Sequence, residues 1–507
     1  MQGSALRTVF AGIGTMCLLC LLALDSEACL RLFRLRRQPL PYCPPPIVRV
    51  EVPLPAPVVA REWPMFGGTP ARNLANLVET GLSTTWDVNP LAHKNIKWVA
   101  DLGSRSSGTP VVAGGRIFIG TNNQRPRDPK YAKPGGDGRN PVDLGVLMCF
   151  RESDGAFLWQ AVHEKSPGGQ VVDWPYEGIR SVPAVEGNRL YYVSNRGELI
   201  CADVETGKAI WTLDMIGKLG VFPHNRSMCS PLVVDDLVFV VTSNGVNEDH
   251  LNLPSPKAPS FIAVEKRTGK VVWQDNSPTV KYAPPPGATK EYFQYLANRG
   301  DIVMHGQWSS PAYGVAEGVP QVIFPGGDGW LYSFEPKTGK LLWRFDCNPK
   351  SAKFWPVKGE RSEFMGVPVV YRNRVYIGVG QDPEHGAGVG HFWCIDMTRR
   401  GDVSSELRLE NDDIVKNPNS ALVWHYGGVI DDMKPKRKLR RNYYFGRTLS
   451  TCAIHEGLVY ITDVHGILHC LDAESGKSQW EDDLDADIWG SPMYADGKVY
   501  LGAEDYI

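Results

Sequence analysis

One pattern recurs along this 507-residue chain and limits what it can fold into. In its fullest form it reads acidic-x-x-Thr/Ser-Gly-Lys-x-x-Trp, preceded by alternating apolar residues. Residues 199–211, Leu-Ile-Cys-Ala-Asp-Val-Glu-Thr-Gly-Lys-Ala-Ile-Trp, show it best. Counterparts lie at 147–159, 261–273, 331–343 and 468–480, and a broken copy from His391 to Trp424 is interrupted by residues 401–420. A second element precedes each copy: a small residue, Pro, alternating apolar residues, a two-residue turn and an aromatic-rich run. Gly108-Thr-Pro-Val-Val with its turn at Gly114-Gly115 is the first, and others begin at Ser181, Ser230, Ser310, Gly366, Thr451 and Ser491.

Alternation at period two predicts strands with one buried face. Thr206-Gly207-Lys208 is turn chemistry, with Gly supplying positive φ. The Trp falls on the fourth strand, where its large apolar area can wedge between neighbouring sheets. Four short strands with a sheet-stacking aromatic make one blade of a β-propeller, so the fold is predicted to be all-β with four-stranded antiparallel blades. High Gly (52) and Pro (39) agree with many turns.

These residues resemble the pyrroloquinoline-quinone (PQQ) repeat propellers, a family that includes quinoprotein dehydrogenases and the non-catalytic outer-membrane assembly lipoprotein. Trp63-Pro-Met-Phe-Gly-Gly68 is similar to the segment that precedes many such propellers, and the resemblance runs from Trp63 to Ile507. It implies about seven blades, with eight in some relatives. The repeat tryptophans are Trp98, Trp159, Trp211, Trp273, Trp343, Trp424 and Trp480. Trp98 has no preceding strands of its own and is expected on the outer strand that closes the ring against the C-terminal blade. Residues 489–507 offer two inner strands of that last blade and no obvious third.

Ahead of the repeats, residues 9–24 form an uncharged apolar run behind Arg7, the length of a signal-peptide core, with Ser26-Glu-Ala28 fit for cleavage before Cys29. Arg31, Arg34, Arg36 and Arg37 follow, which disfavours export of the run and keeps a retained membrane anchor open. Residues 1–28 are thus expected to be a signal peptide or anchor, 29–62 a Pro-rich extended linker, and 63–507 the propeller. The expected location is exported, periplasmic or held in the cell envelope, touching membrane only through the N-terminal segment.

A net charge of −2 gives no field for nucleic acid. The basic run at residues 434–441 reads as a solvated loop between strands. Eleven cysteines form no zinc or thioredoxin-like motif. Cys149, Cys201, Cys394 and Cys470 recur at one repeat position and read as small buried packing residues.

Strand parity predicts where function sits. The 2–3 loops and the links between blades leave one face, and the 1–2 and 3–4 turns leave the other. The long insertions, at 122–143, 161–178, 243–260, 276–306, 348–363, 381–390 and 427–445, all belong to the first face; only 401–420 does not. Residues just before each inner strand should crowd the channel mouth there: Arg180; His224, Asn225 and Arg226; His305, Gln307 and Trp308; Arg447; Trp489. Gln381, Asp382, His385 and His391 approach from the fifth blade. Such a ring could hold an anionic, planar or sugar-like ligand, or simply tie the loops of a wet channel together. His250, His385 and His391 are candidate metal ligands, because imidazole suits Zn, Cu and Fe.

No G-x-S-x-G, H-E-x-x-H or Walker motif is present. The resemblance makes PQQ and Ca²⁺ the cofactors to test, yet the adjacent cysteines of many alcohol-oxidising members are missing and no calcium-ligand motif maps onto the chain. The sequence therefore reads first as a non-catalytic binding or assembly scaffold that engages an envelope protein or polymer with its elaborated face. A PQQ/Ca-dependent alcohol or sugar oxidoreductase is the alternative. A carbohydrate-binding propeller using Trp174, Trp308 and Trp489 as platforms is the second alternative.

Overall fold

The computed structural model describes residues 62–89, 92–135, 141–225, 227–250, 252–280, 289–354, 359–381, 388–430 and 441–503. The chain divides into Met1–Pro55 and Ala56–Ile507, and the described residues all lie in the second unit. The predicted leader, nearly all of the linker, most of the basic run, and Arg226, Asp382 and His385 lie outside the described residues.

The protein is mostly β. Six antiparallel four-stranded meanders follow one another in sequence, with strand order equal to chain order in each. Their first strands are Val111–Ala113, Ala184–Glu186, Leu232–Val234, Ala312–Ala316, Val369–Tyr371 and Ala453–His455. A seventh sheet holds Met493–Ala495 and Lys498–Tyr500, with Ala75–Asn76 added in parallel to the first of these. Residues 401–420 leave the fifth meander at its 3–4 turn. There Gly401–Asp402 pairs in parallel with Leu341–Asp346 of the fourth sheet, and Glu406–Arg408 and Ile414–Lys416 form a hairpin. No helix among the described residues is long and apolar enough to cross a membrane.

Register explains the recurring cysteines. Cys149, Cys201, Cys394 and Cys470 each face the sheet's Trp on the fourth strand and Phe118, Tyr191, Tyr376 or Tyr460 on the second. A small side chain fits between two aromatics where a large one would not. All four thiols are free and buried, and burial pushes Cys149, Cys394 and Cys470 up to about 12, so they are inert packing groups.

The Gly-Lys turn locks one sheet to the next. Trp159 donates its indole N–H to the Val204 carbonyl (3.0 Å) and lies flat against Gly207 of the following sheet. Trp211, Trp273 and Trp424 repeat the contact at Gly269, Gly339 and Gly476. Trp98 makes the same contact at Gly155, with its N–H on the Glu152 carbonyl (2.9 Å). It does so from outside any strand and packs on the first sheet, where an outer strand closing the ring against the C-terminal blade was expected. What pairs with the C-terminal sheet is Ala75–Asn76, on its inner edge.

Along the inner edge, the hydroxyl residues that open four of the first strands have a second role. Val182 N–H donates to Ser230 Oγ, Ser230 N–H to Ser310 Oγ, Val367 N–H to Thr451 Oγ1 and Thr451 N–H to Ser491 Oγ, so hydroxyls stitch successive sheets together. Segment 63–76 then bonds to the inner edge of every sheet. Trp63 exchanges two bonds with Val112, and the Pro64, Pro70, Ala71 and Leu74 carbonyls accept from Val185, Tyr313, Val370 and Tyr494 (2.7–3.0 Å). Arg72 donates to the Ser230 and Pro231 carbonyls, and Asn73 bonds both ways with Ile454. Most of these contacts fall within the short first strands, and those of Arg72 fall on the residues just before them.

Candidate functional site

The end of the inner strands away from the 1–2 turns carries the long loops, and most of the buried ionisable groups collect there. His224 comes from the link between the second and third sheets, His250 from the 2–3 loop of the third, and His305 from the link to the fourth. Their ligand-capable nitrogens all lie within 4.8 Å of one another. His224 Nε2 stands 3.3 Å from His250 Nε2, while His224 Nδ1 is 2.8 Å from the Val246 carbonyl. A carbonyl only accepts, so neutral His224 carries its hydrogen on Nδ1 and turns the Nε2 lone pair toward His250. His305 Nδ1 lies 3.5 Å from Glu363 Oε1, and both side chains are buried.

The surroundings hold this arrangement. Trp308 packs edge-on beneath His305 (4.6 Å between ring centres, 77°) and donates its N–H to the His224 carbonyl at 3.0 Å. A Cβ at Gly245 would sit 2.7 Å from His224 Cβ, and one at Gly306 would sit 2.2 Å from the Trp308 indole, so both positions need glycine. His250 itself adopts φ +54°, a left-handed conformation that costs a non-glycine residue roughly 1–2 kcal/mol.

The other residues singled out from the sequence take separate places. Arg180 pairs with buried Glu177, which also receives Arg105 at 2.6 Å. Asn225 is tied through its backbone to Val171 and Trp174. Gln307 donates to the Asn244 carbonyl (2.6 Å) and Ser260 Oγ (2.8 Å), linking two loops. Gln381 donates to the Arg361 carbonyl at 3.0 Å. Arg447 is fully buried and donates to the Gly359 carbonyl. His391 pairs with His425 (3.0 Å) rather than with His250, and burial pushes the two imidazoles down to about 3 and 4. Trp489 is exposed, whereas Trp308 is 2% exposed and offers no open face to a sugar.

Two further groups at this end went unnoticed in the sequence. Asp346 is buried between Arg361 (2.8 Å) and Lys350 (2.8 Å); burial alone would raise its carboxyl, but the two cations outweigh it and hold it below the usual range. Asp328, bonded by Tyr332 Oη at 2.5 Å, is instead pushed up to about 7 by burial. Glu363, behind His305, was also missed. The signal available was positional: His224 and His305 both stand a few residues before the Ser-Pro starts of neighbouring sheets.

The three-histidine cluster does not fit a calcium ion, because its convergent donors are imidazole nitrogens, whereas Ca²⁺ takes oxygen ligands. Trp308, which could have floored a planar ligand, is packed against His305 instead.

A family model described as outer membrane protein assembly factor BamB matches residues 143–377 and 411–507. The dehydrogenase subunit of a quinone alcohol dehydrogenase from Acetobacter aceti is 22% identical over 358 residues, 64% of this chain and 43% of that protein. Outer membrane protein assembly factor BamB from Yersinia pestis is 23% identical over 385 residues, 71% of this chain and 91% of that protein. The chain spans less than half the length of the first two dehydrogenases it matches. Among solved structures, BamB from Moraxella catarrhalis aligns over 80% of this chain and 94% of its own at 14% identity and a TM-score of 0.38. A europium-containing methanol dehydrogenase aligns over 87% and 89% at 13% identity and a TM-score of 0.40.

Proposed function

Because the chain belongs to the repeat family described as outer membrane protein assembly factor BamB, we propose that it is an exported seven-bladed β-propeller acting as a non-catalytic docking scaffold. Its partner is a protein of the machinery that assembles outer membrane proteins, engaged by the loop-bearing end. Seven blades are supported by segment 63–76, which bonds to the inner edge of seven sheets.

One observation carries the scaffold reading. At the loop end many of the buried polar groups are tied to neighbouring side chains or carbonyls, while Tyr292 (42%), Tyr295 (50%), Tyr444 (40%) and Trp489 (52%) stand exposed. Large amphipathic rings anchor protein interfaces at little entropic cost. Tyr292 and Tyr295 stack on the Lys290–Arg299 helix, whose Phe293, Leu296 and Ala297 are buried, so they are presented on a fixed surface. Coverage points the same way, since the chain matches nearly all of the Yersinia assembly factor.

The match to the Acetobacter dehydrogenase favours a second reading, a quinone-dependent alcohol oxidoreductase. One experiment separates the two. The full-length chain, crosslinked in envelope extract, should retain an identified outer-membrane assembly protein, and a Tyr292→Ala/Tyr295→Ala/Trp489→Ala variant should retain at least about tenfold less. Recovery of nothing, or equal recovery by the variant, sinks the scaffold reading. Stoichiometric uptake of PQQ with Ca²⁺, and dye reduction by alcohols, would install the second.

A further inference from the structure

The geometry points to a binding site for a zinc-type transition-metal dication held by His224, His250 and His305, independent of the scaffold reading. Nitrogens about 2.0–2.1 Å from a tetrahedral zinc lie roughly 3.3–3.4 Å apart, and His224 Nε2 and His250 Nε2 are already 3.3 Å apart. The third ring comes within 4.8 Å, a gap that a small loop movement closes. A lone hydrogen bond from His250 to His224 would account for that pair, but not for a third imidazole beside it with a carboxylate behind.

The surrounding contacts match what a metal-bound imidazole needs. Such a histidine presents one nitrogen to the ion and gives its other N–H to a carbonyl or carboxylate, which fixes the tautomer and raises its basicity. His224 Nδ1 has the Val246 carbonyl at 2.8 Å, and His305 Nδ1 has Glu363 Oε1 at 3.5 Å. Glu363 also brings a negative charge into a buried setting that would receive two positive ones. The donor set selects the ion: imidazole nitrogens suit Zn²⁺ and Cu²⁺, not Ca²⁺. Three protein ligands leave a fourth position for an oxygen ligand such as water. His250, the one half-buried member, places that position toward the mouth. The three ligands come from three separate loops, so the ion would also pin those loops together.

The test uses the full chain, stripped with a chelator and dialysed against ZnCl₂, with CaCl₂ as control. One zinc per chain should be retained in the presence of excess calcium, and Co²⁺ in its place should give the visible absorption of a four- or five-coordinate nitrogen site. His250→Ala, on the half-buried loop, should abolish the stoichiometric zinc and the cobalt band. Glu363→Gln should weaken zinc binding about tenfold. Failure of the wild-type chain to retain zinc overturns the assignment, as does unchanged affinity in His250→Ala with its circular dichroism intact. Should Glu363→Gln not fold, the wild-type cobalt spectrum and His250→Ala decide alone.

Discussion

The two ends of the inner strands solve the same problem with different chemistry. Wherever sheets converge, backbone and side-chain polar groups are cut off from water and must find partners. Nearer the tight turns they find mostly main chain: segment 63–76 offers carbonyls and N–H groups to five of the sheets, with the Arg72 and Asn73 side chains reaching the other two. At the loop end they find side chains, among them the histidine cluster, the His391–His425 pair, Asp328 and the Asp346–Arg361–Lys350 network. Main-chain partners do not titrate and bind nothing else. Side-chain partners can do both, so the loop end carries groups able to respond to pH, metal or a docking protein.

The largest expected effect tests the first half of that contrast. Arg72 is wholly buried and donates to four backbone carbonyls, those of Phe66, Ser230, Pro231 and Pro311, at 2.9–3.1 Å. Burial lowers its pKa to about 10, so it remains a cation at neutral pH. Arg72→Leu removes the fork and strands four acceptors in a dry site. The expected loss is about 3–5 kcal/mol, read from the urea midpoint. Arg72→Lys should restore little, because an ammonium cannot span four carbonyls as a planar guanidinium does. A loss under about 1 kcal/mol would mean that the sheets hold the turn end without the segment.

Acid should find the other end. His391 is buried while His425 beside it is partly open to solvent, and both imidazoles are pushed down, to about 3 and 4, against an ordinary value near 6.5. A histidine depressed in the folded state contributes stability that is full above 6.5 and is lost as pH falls toward the folded value, since the unfolded chain takes up the proton first. Unfolding free energy should therefore drop by on the order of 2–3 kcal/mol between pH 6.5 and 4, nearly all of it on account of buried His391, because solvent screens His425. Asp328, raised to about 7, opposes it: its contribution is full at low pH and fades as pH rises through 7. The readout is accordingly the difference between wild type and His391→Gln/His425→Gln, whose pH slope should be flatter. Equal slopes would show that the pair does not govern acid lability.

The contrast also marks what could be read in advance. The meanders were legible because they repeat: alternation, the Thr-Gly-Lys turn and the Trp each recur at fixed spacing. Strand parity then separated the looped end from the plain one. Segment 63–76 was visible only as a prelude, because it reaches most sheets through backbone groups, which leave no trace in residue identity, and only Arg72 and Asn73 act through side chains. Trp98 was read as part of an outer strand closing against the C-terminal blade, whereas it packs on the first sheet from outside any strand. The histidine cluster was half visible. His224 and His305 were put at the mouth, but His250 was grouped with His385 and His391, since the conformation of an irregular loop follows no period. The left-handed φ of His250 and the close approach of Gly245 to His224 belong to that conformation, not to any repeat.

The smallest expected effect sharpens the picture within the turn end, by asking how much of the sheet-to-sheet lock comes from packing and how much from turn geometry. Gly187 and Gly207 sit in the 1–2 and 3–4 turns of the same sheet, at φ +58° and +69°. A Cβ at Gly187 would meet nothing within 4 Å, so Gly187→Ala should cost only the left-handed backbone term, about 1 kcal/mol. A Cβ at Gly207 would lie 2.4 Å from Trp159 Cε3, and that ring is held in place by its bond to Val204. Gly207→Ala must therefore also displace the indole, for a total of about 2–3 kcal/mol. The difference between the two variants in urea denaturation isolates the Trp-on-Gly contact. If they cost the same, the tryptophan yields freely, and the sheets are joined by the inner-edge hydroxyls and segment 63–76 instead.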